Sequence, residues 1–111
     1  MASAPQVELL WWRGCPSAEP AIELVREEMR ALGLTPEALT VREIRGQADA
    51  ERDAFVGSPT IRVDGRDVQE PGEEPVGLTC RVYRLRDGRV SALPDRADVK
   101  AALAAAIEAG G

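Results

Sequence analysis

The spacing of apolar residues changes near residue 14 of the chain. Residues 7–12 form a short, continuous apolar run that predicts a buried strand. Over residues 16–32 the apolar positions recur every three or four residues between charged ones, which predicts an amphipathic helix. Gly33 is a suitable stop for this helix, Pro16 suits its first position, and Pro20 predicts a local kink. The apolar stripe consists of Ile22, Val25, Met29 and Leu32.

The rest of the chain predicts shorter elements separated by turn residues. A second strand is expected over 38–44, a charged helix over 47–55 that ends near Gly57, and a third strand over 60–63 closed by an Asp64-Gly65 turn. A loop rich in proline and glutamate covers residues 69–75. The expected elements after it are a fourth strand over 78–84 in which Leu78, Cys80 and Val82 share a face, a turn at Asp87-Gly88, and a helix capped by Asp95 with the stripe Val99, Leu103, Ala106 and Ile107, ending at Gly110.

This order of elements predicts an α/β fold. Strand, helix, strand, helix, strand, strand and helix suit a mixed four-stranded sheet with helices packed on both faces. A length of 111 residues is typical of one domain, so we expect a single domain over 1–111. With 44% apolar and 30% charged residues, the chain is expected to be globular.

Charge and hydropathy exclude several partners. A net charge of -5 disfavours nucleic acid, because recognition of a phosphate backbone needs a basic face. The longest apolar stretches, 9–12 and 101–107, are well short of the roughly 20 residues that span a bilayer. Residues 1–6 have neither the basic nor the apolar region of a signal peptide. We therefore expect a cytoplasmic protein that binds neither nucleic acid nor membrane.

The candidate chemistry is that of two thiols. The chain has two cysteines, Cys15 and Cys80, and no histidine. The usual general base, the histidine-activated nucleophiles and the commonest zinc ligand are therefore missing. In a reducing cytosol a permanent structural disulfide between the two cysteines is not expected, and any such bond would be transient.

Two sequence motifs lie at the boundaries of predicted elements. WRGCPSA occupies positions 12–18 between the first strand and the first helix, and VGSPT occupies positions 56–60 before the third strand. In their order and spacing they resemble the thioredoxin-like family over about residues 6–109. The resemblance implies that Cys15 is the reactive first cysteine of a Cys-x-x-Cys motif and that Pro59 is a cis proline facing it. Because Ala18 stands at the position of the second cysteine, the chain resembles an atypical, monothiol member.

The resemblance also suggests how the site would operate. At a helix start, free N-H groups and the helix dipole stabilise a thiolate, so we expect Cys15 to have a lowered pKa, with a contribution from Arg13. A cis bond at Pro59 would expose the Ser58 backbone to an extended peptide or a glutathione-like thiol. The candidate substrate-binding residues are Trp12, Arg13, Ser58 and Pro59.

Cys80 allows two interpretations. It is either a small buried hydrophobe in the fourth strand or a displaced resolving thiol, and the second requires the two Cα atoms to lie within roughly 7 Å. Cys15 likewise could be a residue that only preserves the fold. Arg81, Arg84 and Arg86 either balance acidic neighbours or hold an anionic thiol.

The function predicted from these residues is that of a thiol-disulfide oxidoreductase without a cofactor. Cys15 would attack a disulfide or an oxidised thiol and form a mixed disulfide, which Cys80 or an external thiol would resolve. The expected partner is a protein disulfide or a small thiol such as glutathione. One alternative is the handling of soft metals, Cu(I) or Hg(II), or of organomercury by the two thiols. The other is a non-catalytic interaction module.

Overall fold

A computed structural model describes residues 4–110 of the protein. Residues 1–3 and 111, which belong to the predicted domain 1–111, lie outside the described residues. The helices are α1 (Ala18–Ala31), α2 (Gln47–Arg52) and α3 (Arg96–Gly110), with a short 3-10 turn at Pro36–Ala38. The strands are β1 (Val7–Trp11), β2 (Thr40–Glu43), β3 (Thr60–Val63), β4 (Arg66–Asp67), β5 (Tyr83–Arg84) and β6 (Val90–Ser91).

Four strands form a mixed sheet in the order β2-β1-β3-β4. Strand β1 runs parallel to β2, with Leu9 opposite Val41, and antiparallel to β3, with Leu9 opposite Ile61. Strand β4 pairs antiparallel with β3 at the edge. The predicted α/β class with a mixed four-stranded sheet is confirmed, although the fourth strand comes from a different part of the chain.

Apolar side chains cover both faces of this sheet, because neighbouring residues of β1 point to opposite sides. Leu9 packs with α1 and α3, whereas Leu10 packs with Ala50 of α2 on the other side. Helices therefore lie on both faces, as predicted. The first face buries Val7, Leu9, Ala21, Leu24, Val25, Met29, Leu39, Ile61, Val63, Val99 and Leu103, and the second buries Leu10, Ile44, Ala50 and Phe55.

Helix α1 begins at Ala18, two residues later than predicted, with Ser17 as its N-cap. Pro20 consequently lies in the first turn, where its missing N-H needs no partner, so the reason for the predicted kink disappears. The predicted stop at Gly33 is confirmed. Gly33 has a φ of +79°, and the N-H of Leu34 donates to the carbonyl of Met29 at 2.8 Å, which is the usual closing bond of a helix that ends on glycine.

The Asp64-Gly65 turn joins β3 to β4. Both residues have positive φ, +51° and +81°, which is the geometry of a tight hairpin turn and confirms the prediction. The hairpin places β4 beside β3 and so fills the sheet edge. The strand predicted over 78–84 is wrong, since only Tyr83 and Arg84 are extended, and they pair with β6 outside the main sheet. The predicted turn at Asp87-Gly88 connects this pair.

The remaining helices and β2 differ from the prediction mainly in length. Strand β2 is limited to Thr40–Glu43, and α2 ends at Arg52 because Ala54 adopts a φ of +51°. The N-H of Phe55 donates to the carbonyl of Ala50 at 2.8 Å. Phe55 lies beyond the end of the helix, and its side chain packs in the second core face. The predicted cap of α3 is confirmed: the carboxylate of Asp95 accepts from the N-H of Ala97 at 2.9 Å.

Among the helices within residues 4–110, none has both the length and the apolar character needed to cross a membrane.

Candidate functional site

Cys15 and Cys80 are joined by a disulfide bond across 65 positions of sequence. Their Cα atoms are 5.6 Å apart, inside the usual range for a disulfide. The fold therefore brings Cys80 to Cys15, as the displaced-thiol interpretation requires. The alternative, a buried Cys80 in a strand, is wrong because Cys80 is exposed and lies outside any named strand.

Cys15 lies in a turn before α1. Its N-H donates to the carbonyl of Trp12 at 3.1 Å, and the residue is only 5% exposed. With Pro16 as the first helical residue, Cys15 was predicted at the cap of the helix. Since Ser17 is the N-cap, Cys15 stands two residues ahead of the cap, and the predicted position was wrong by that amount. The lowered pKa of a reduced Cys15 thiol stays a prediction, because the sulfur is bonded in this structure.

Trp12 shapes the turn that carries Cys15. A Cβ atom placed on Gly14 would come within 2.3 Å of the Trp12 indole, so the ring lies directly against Gly14 and a side chain there would displace it. The backbone N-H of Trp12 donates to the hydroxyl of Ser58 at 3.0 Å. Two of the predicted substrate-binding residues are thus in contact with each other, while Arg13 extends into solvent.

Ser58 is fully buried, and its backbone already has partners. The peptide bond to Pro59 is cis, as the resemblance implies. The Ser58 N-H donates to the carbonyl of Thr79 at 2.8 Å, and the Ser58 carbonyl accepts from the N-H of Arg81 at 2.9 Å. The prediction of a backbone free for substrate is therefore wrong. The segment 79–81 of the same chain occupies it, with Cys80 at its centre.

The side chain of Arg81 anchors this segment. Arg81 is 7% exposed, and its guanidinium donates to the carboxylate of Asp67 at 2.7 Å and to the carbonyl of Gln69 at 2.6 Å. It also lies 4.4 Å from the centre of the Tyr83 ring, a cation-π contact. Burial lowers the pKa of Arg81, but the hydrogen bond to Asp67 and the nearby charges of Asp67, Tyr83 and Glu74 together outweigh burial, and the pKa is raised. Arg81 is therefore paired within the protein and is not available to an anionic thiol.

Tyr83 and Gly57 complete this anchored region. The buried Tyr83 hydroxyl donates to the carbonyl of Pro59 at 2.5 Å, and burial raises its pKa. Gly57 has a φ of +140°, and a Cβ there would meet Arg81 at 2.9 Å. A side chain at this position would therefore push the Cys80 segment away. The roles of Asp67, Gln69 and Tyr83 were not predicted, since no local pattern in the sequence shows that they contact Arg81.

Metal binding has limited support in the described residues. Within residues 4–110 no group of three or more cysteine, aspartate, glutamate or histidine side chains is arranged to hold an ion. Cys15 and Cys80 are close enough to bind one metal ion between them without a third ligand. A site there would be a two-thiolate site and would require the disulfide to be reduced.

Comparisons with protein-family models, with curated proteins and with solved structures gave no match to this chain.

Proposed function

We propose that the protein carries out thiol-disulfide exchange on a thioredoxin-like fold, with Cys15 and Cys80 as its redox pair. The observation that carries the proposal is the bond between these two cysteines, which lie 65 positions apart in the sequence. The mixed four-stranded sheet with helices on both faces agrees with the fold implied by the sequence motifs. The departure at Ala18 then has a simple chemical explanation: Cys80 replaces the missing local thiol.

The proposed reaction is a two-electron exchange. When the protein is the oxidant, two partner thiolates lose one electron each and become a disulfide, while the Cys15–Cys80 bond takes up the electron pair and gives two thiols after protonation from solvent. When the protein is the reductant, the same steps run in reverse. Each half proceeds through a mixed disulfide between one of the cysteines and the partner.

Contacts independent of the disulfide support its reversibility. Cys15 is held by its bond to the carbonyl of Trp12, and the segment around Cys80 is held by Ser58 and by the Arg81–Asp67 pair. These contacts do not depend on the sulfur-sulfur bond. After reduction the two thiols are therefore expected to remain adjacent, so that re-formation of the bond is an intramolecular step.

The partners we propose are protein disulfides or a small thiol compound such as glutathione, and the compartment is the cytoplasm. A cysteine pair that alternates between the disulfide and the dithiol form is compatible with that reducing environment, whereas a permanent disulfide is not.

The test is a redox titration combined with turnover. The protein is equilibrated in glutathione buffers of graded ratio, and its free thiols are counted by the mass added by a maleimide. We expect reversible conversion between zero and two thiols, and acceleration of the reduction of a peptide disulfide by dithiothreitol. Cys15→Ser and Cys80→Ser should each abolish the acceleration, while Ser17→Ala, next to the site, should preserve it. A wild-type protein that gives no acceleration over dithiothreitol alone would contradict the proposal.

Soft-metal binding is the second candidate, favoured by the 5.6 Å separation of the Cys15 and Cys80 Cα atoms. Two adjacent thiolates can hold Cu(I) or Hg(II). Reduced protein is expected to bind one ion per chain in competition with a chelator, and each single cysteine variant should lose this binding. Retention of full affinity in either variant would rule this candidate out.

A further inference from the structure

The two cysteines of the disulfide differ in their exposure to solvent. Cys15 is only 5% exposed, whereas Cys80 is exposed. A thiolate attacks a disulfide sulfur from the side opposite the sulfur that leaves, so it needs open space behind the atom it attacks. The rate of exchange at each sulfur depends strongly on this access.

Open space is found beside Cys80. A cleft of about 350 Å³ is lined by Cys80 together with aliphatic side chains, among them Val56, Val76, Leu78 and Val82. Val82 is 66% exposed and Val76 37% exposed, so the cleft opens to solvent. A partner thiol can therefore approach Cys80 through this cleft. In the turn before α1, by contrast, Cys15 is buried and the ring of Trp12 lies against the neighbouring Gly14.

We propose that Cys80, and not Cys15, is the sulfur through which the protein exchanges with its partners, and that Cys15 is the resolving thiol. This inference rests on the proposed function and reverses the roles expected from the sequence. An external thiolate attacks the Cys80 sulfur, a bond forms between them, the Cys15–Cys80 bond breaks, and its electron pair leaves on Cys15. In the opposite direction the Cys80 thiolate attacks one sulfur of the partner disulfide and expels the other as a thiolate. The Cys15 thiolate then attacks the Cys80 sulfur and expels the second partner thiolate, which re-forms the Cys15–Cys80 bond.

The surroundings of each cysteine fit these roles. The Cys15 sulfur lies 3.7 Å from the carbonyl oxygen of Ser58, so once it has left and taken up a proton it can donate a hydrogen bond to that oxygen. The segment carrying Cys80 stays attached to Ser58 on both sides of the cysteine. A mixed disulfide on Cys80 is therefore held within reach of Cys15, which is what a resolving thiol needs.

The first measurement locates the mixed disulfide in the wild-type protein. Oxidised protein is mixed with limiting reduced glutathione, quenched with acid after short times and alkylated. Trypsin cleaves after arginine, so Cys15 lies in peptide 14–26 and Cys80 in peptide 67–81. We expect the early glutathione adduct on peptide 67–81 in about tenfold excess or more over peptide 14–26, because access governs which sulfur is attacked.

The second measurement compares the single variants. In Cys15→Ser the remaining Cys80 should react with iodoacetamide about tenfold faster than Cys15 does in Cys80→Ser, for the same reason of access. Circular dichroism establishes whether both variants are folded. If one variant is unfolded, the location of the glutathione adduct in the wild-type protein decides the question.

The outcomes separate the two proposals. An early adduct mainly on peptide 14–26, or equal amounts on both, overturns the assignment of Cys80 while leaving thiol-disulfide exchange intact. Absence of any adduct and of any released thiol at excess glutathione overturns the proposed function, and the assignment with it.

Discussion

Reduction of the Cys15–Cys80 disulfide is expected to lower the free energy of unfolding by about 4 kcal/mol. The bond joins positions 65 residues apart. It therefore closes a long loop in the unfolded chain and lowers the conformational entropy of the unfolded state. The loop-entropy relation gives about -15 cal/mol/K for this length, or about 4 kcal/mol at 25 °C. Because single domains are typically stable by about 5–15 kcal/mol, the reduced protein is expected to remain folded with a smaller margin.

The assay is urea denaturation followed by circular dichroism, with and without a phosphine reductant. With a slope of about 1.5 kcal/mol/M, a loss of about 4 kcal/mol moves the midpoint down by about 2–3 M. The same free energy makes the folded disulfide about 90 mV harder to reduce than the disulfide in the unfolded chain. The control is the double variant Cys15→Ser with Cys80→Ser, in which the reductant should change nothing.

Equal midpoints for oxidised and reduced wild-type protein would refute this reasoning. Such a result would mean either that the bond does not close in solution or that the unfolded chain is already constrained without it. A midpoint shift that also occurs in the double variant would show that the reductant acts elsewhere.

Three further predictions concern the framework of the site. Asp67→Asn should lower the free energy of unfolding by about 3–5 kcal/mol in urea denaturation, because it leaves the buried charge of Arg81 without its partner. Ala54→Gly should raise stability by about 1 kcal/mol in the same assay, since Ala54 has a φ of +51° that glycine adopts freely. The hydrogen bond from Arg42 lowers the pKa of Asp53, so its stabilisation is present above about pH 4, the pKa of an unfolded aspartate, and is lost as pH falls through the lower folded pKa. The stability difference between wild type and Asp53→Asn, measured from pH 6 to pH 2, should shrink accordingly.

Matched variants test the reasons given for the first two changes. Asp98→Asn breaks an ion pair with Arg86, whose side chain is 58% exposed, and should cost less than about 1 kcal/mol. Ala101→Gly, in the middle of α3, should destabilise the protein by about 0.5–1 kcal/mol, opposite in sign to Ala54→Gly. If Asp67→Asn costs no more than Asp98→Asn, the buried pair does not anchor the Cys80 segment. A pH-independent difference for Asp53→Asn would contradict the assigned ion pair.

The parts of the fold that were predicted correctly are those whose signals are local. The apolar run of β1, the end of α1 at Gly33 and the hairpin turn at Asp64-Gly65 each depend on a few neighbouring residues. The end of α2 was missed because Ala54 takes a left-handed conformation that its sequence does not announce. Core packing of Phe55 supplies the reason: leaving the helix there places its ring in the second core face.

The site was predicted only in part, because its geometry depends on long-range pairing. The motif around Cys15 and the cis bond at Ser58-Pro59 were expected from their local sequence and family resemblance. The partner of Ser58 was not, since the segment 79–81 comes from more than 20 residues further along the chain. Nor does any sequence pattern show that Arg81 reaches Asp67.

The fate of the segment 78–84 shows how the topology creates the site. Alternation of Leu78, Cys80 and Val82 indicates a strand only if a neighbouring strand is free to pair with it. The tight turn at Asp64-Gly65 makes β4 the neighbour of β3, so the place beside β3 is already taken there. The segment makes a single bridge to Ser58 instead. Cys80 therefore does not lie on the buried face of a strand; it is exposed to solvent and bonded to Cys15. The wrongly predicted strand and the accessible disulfide thus have the same structural cause.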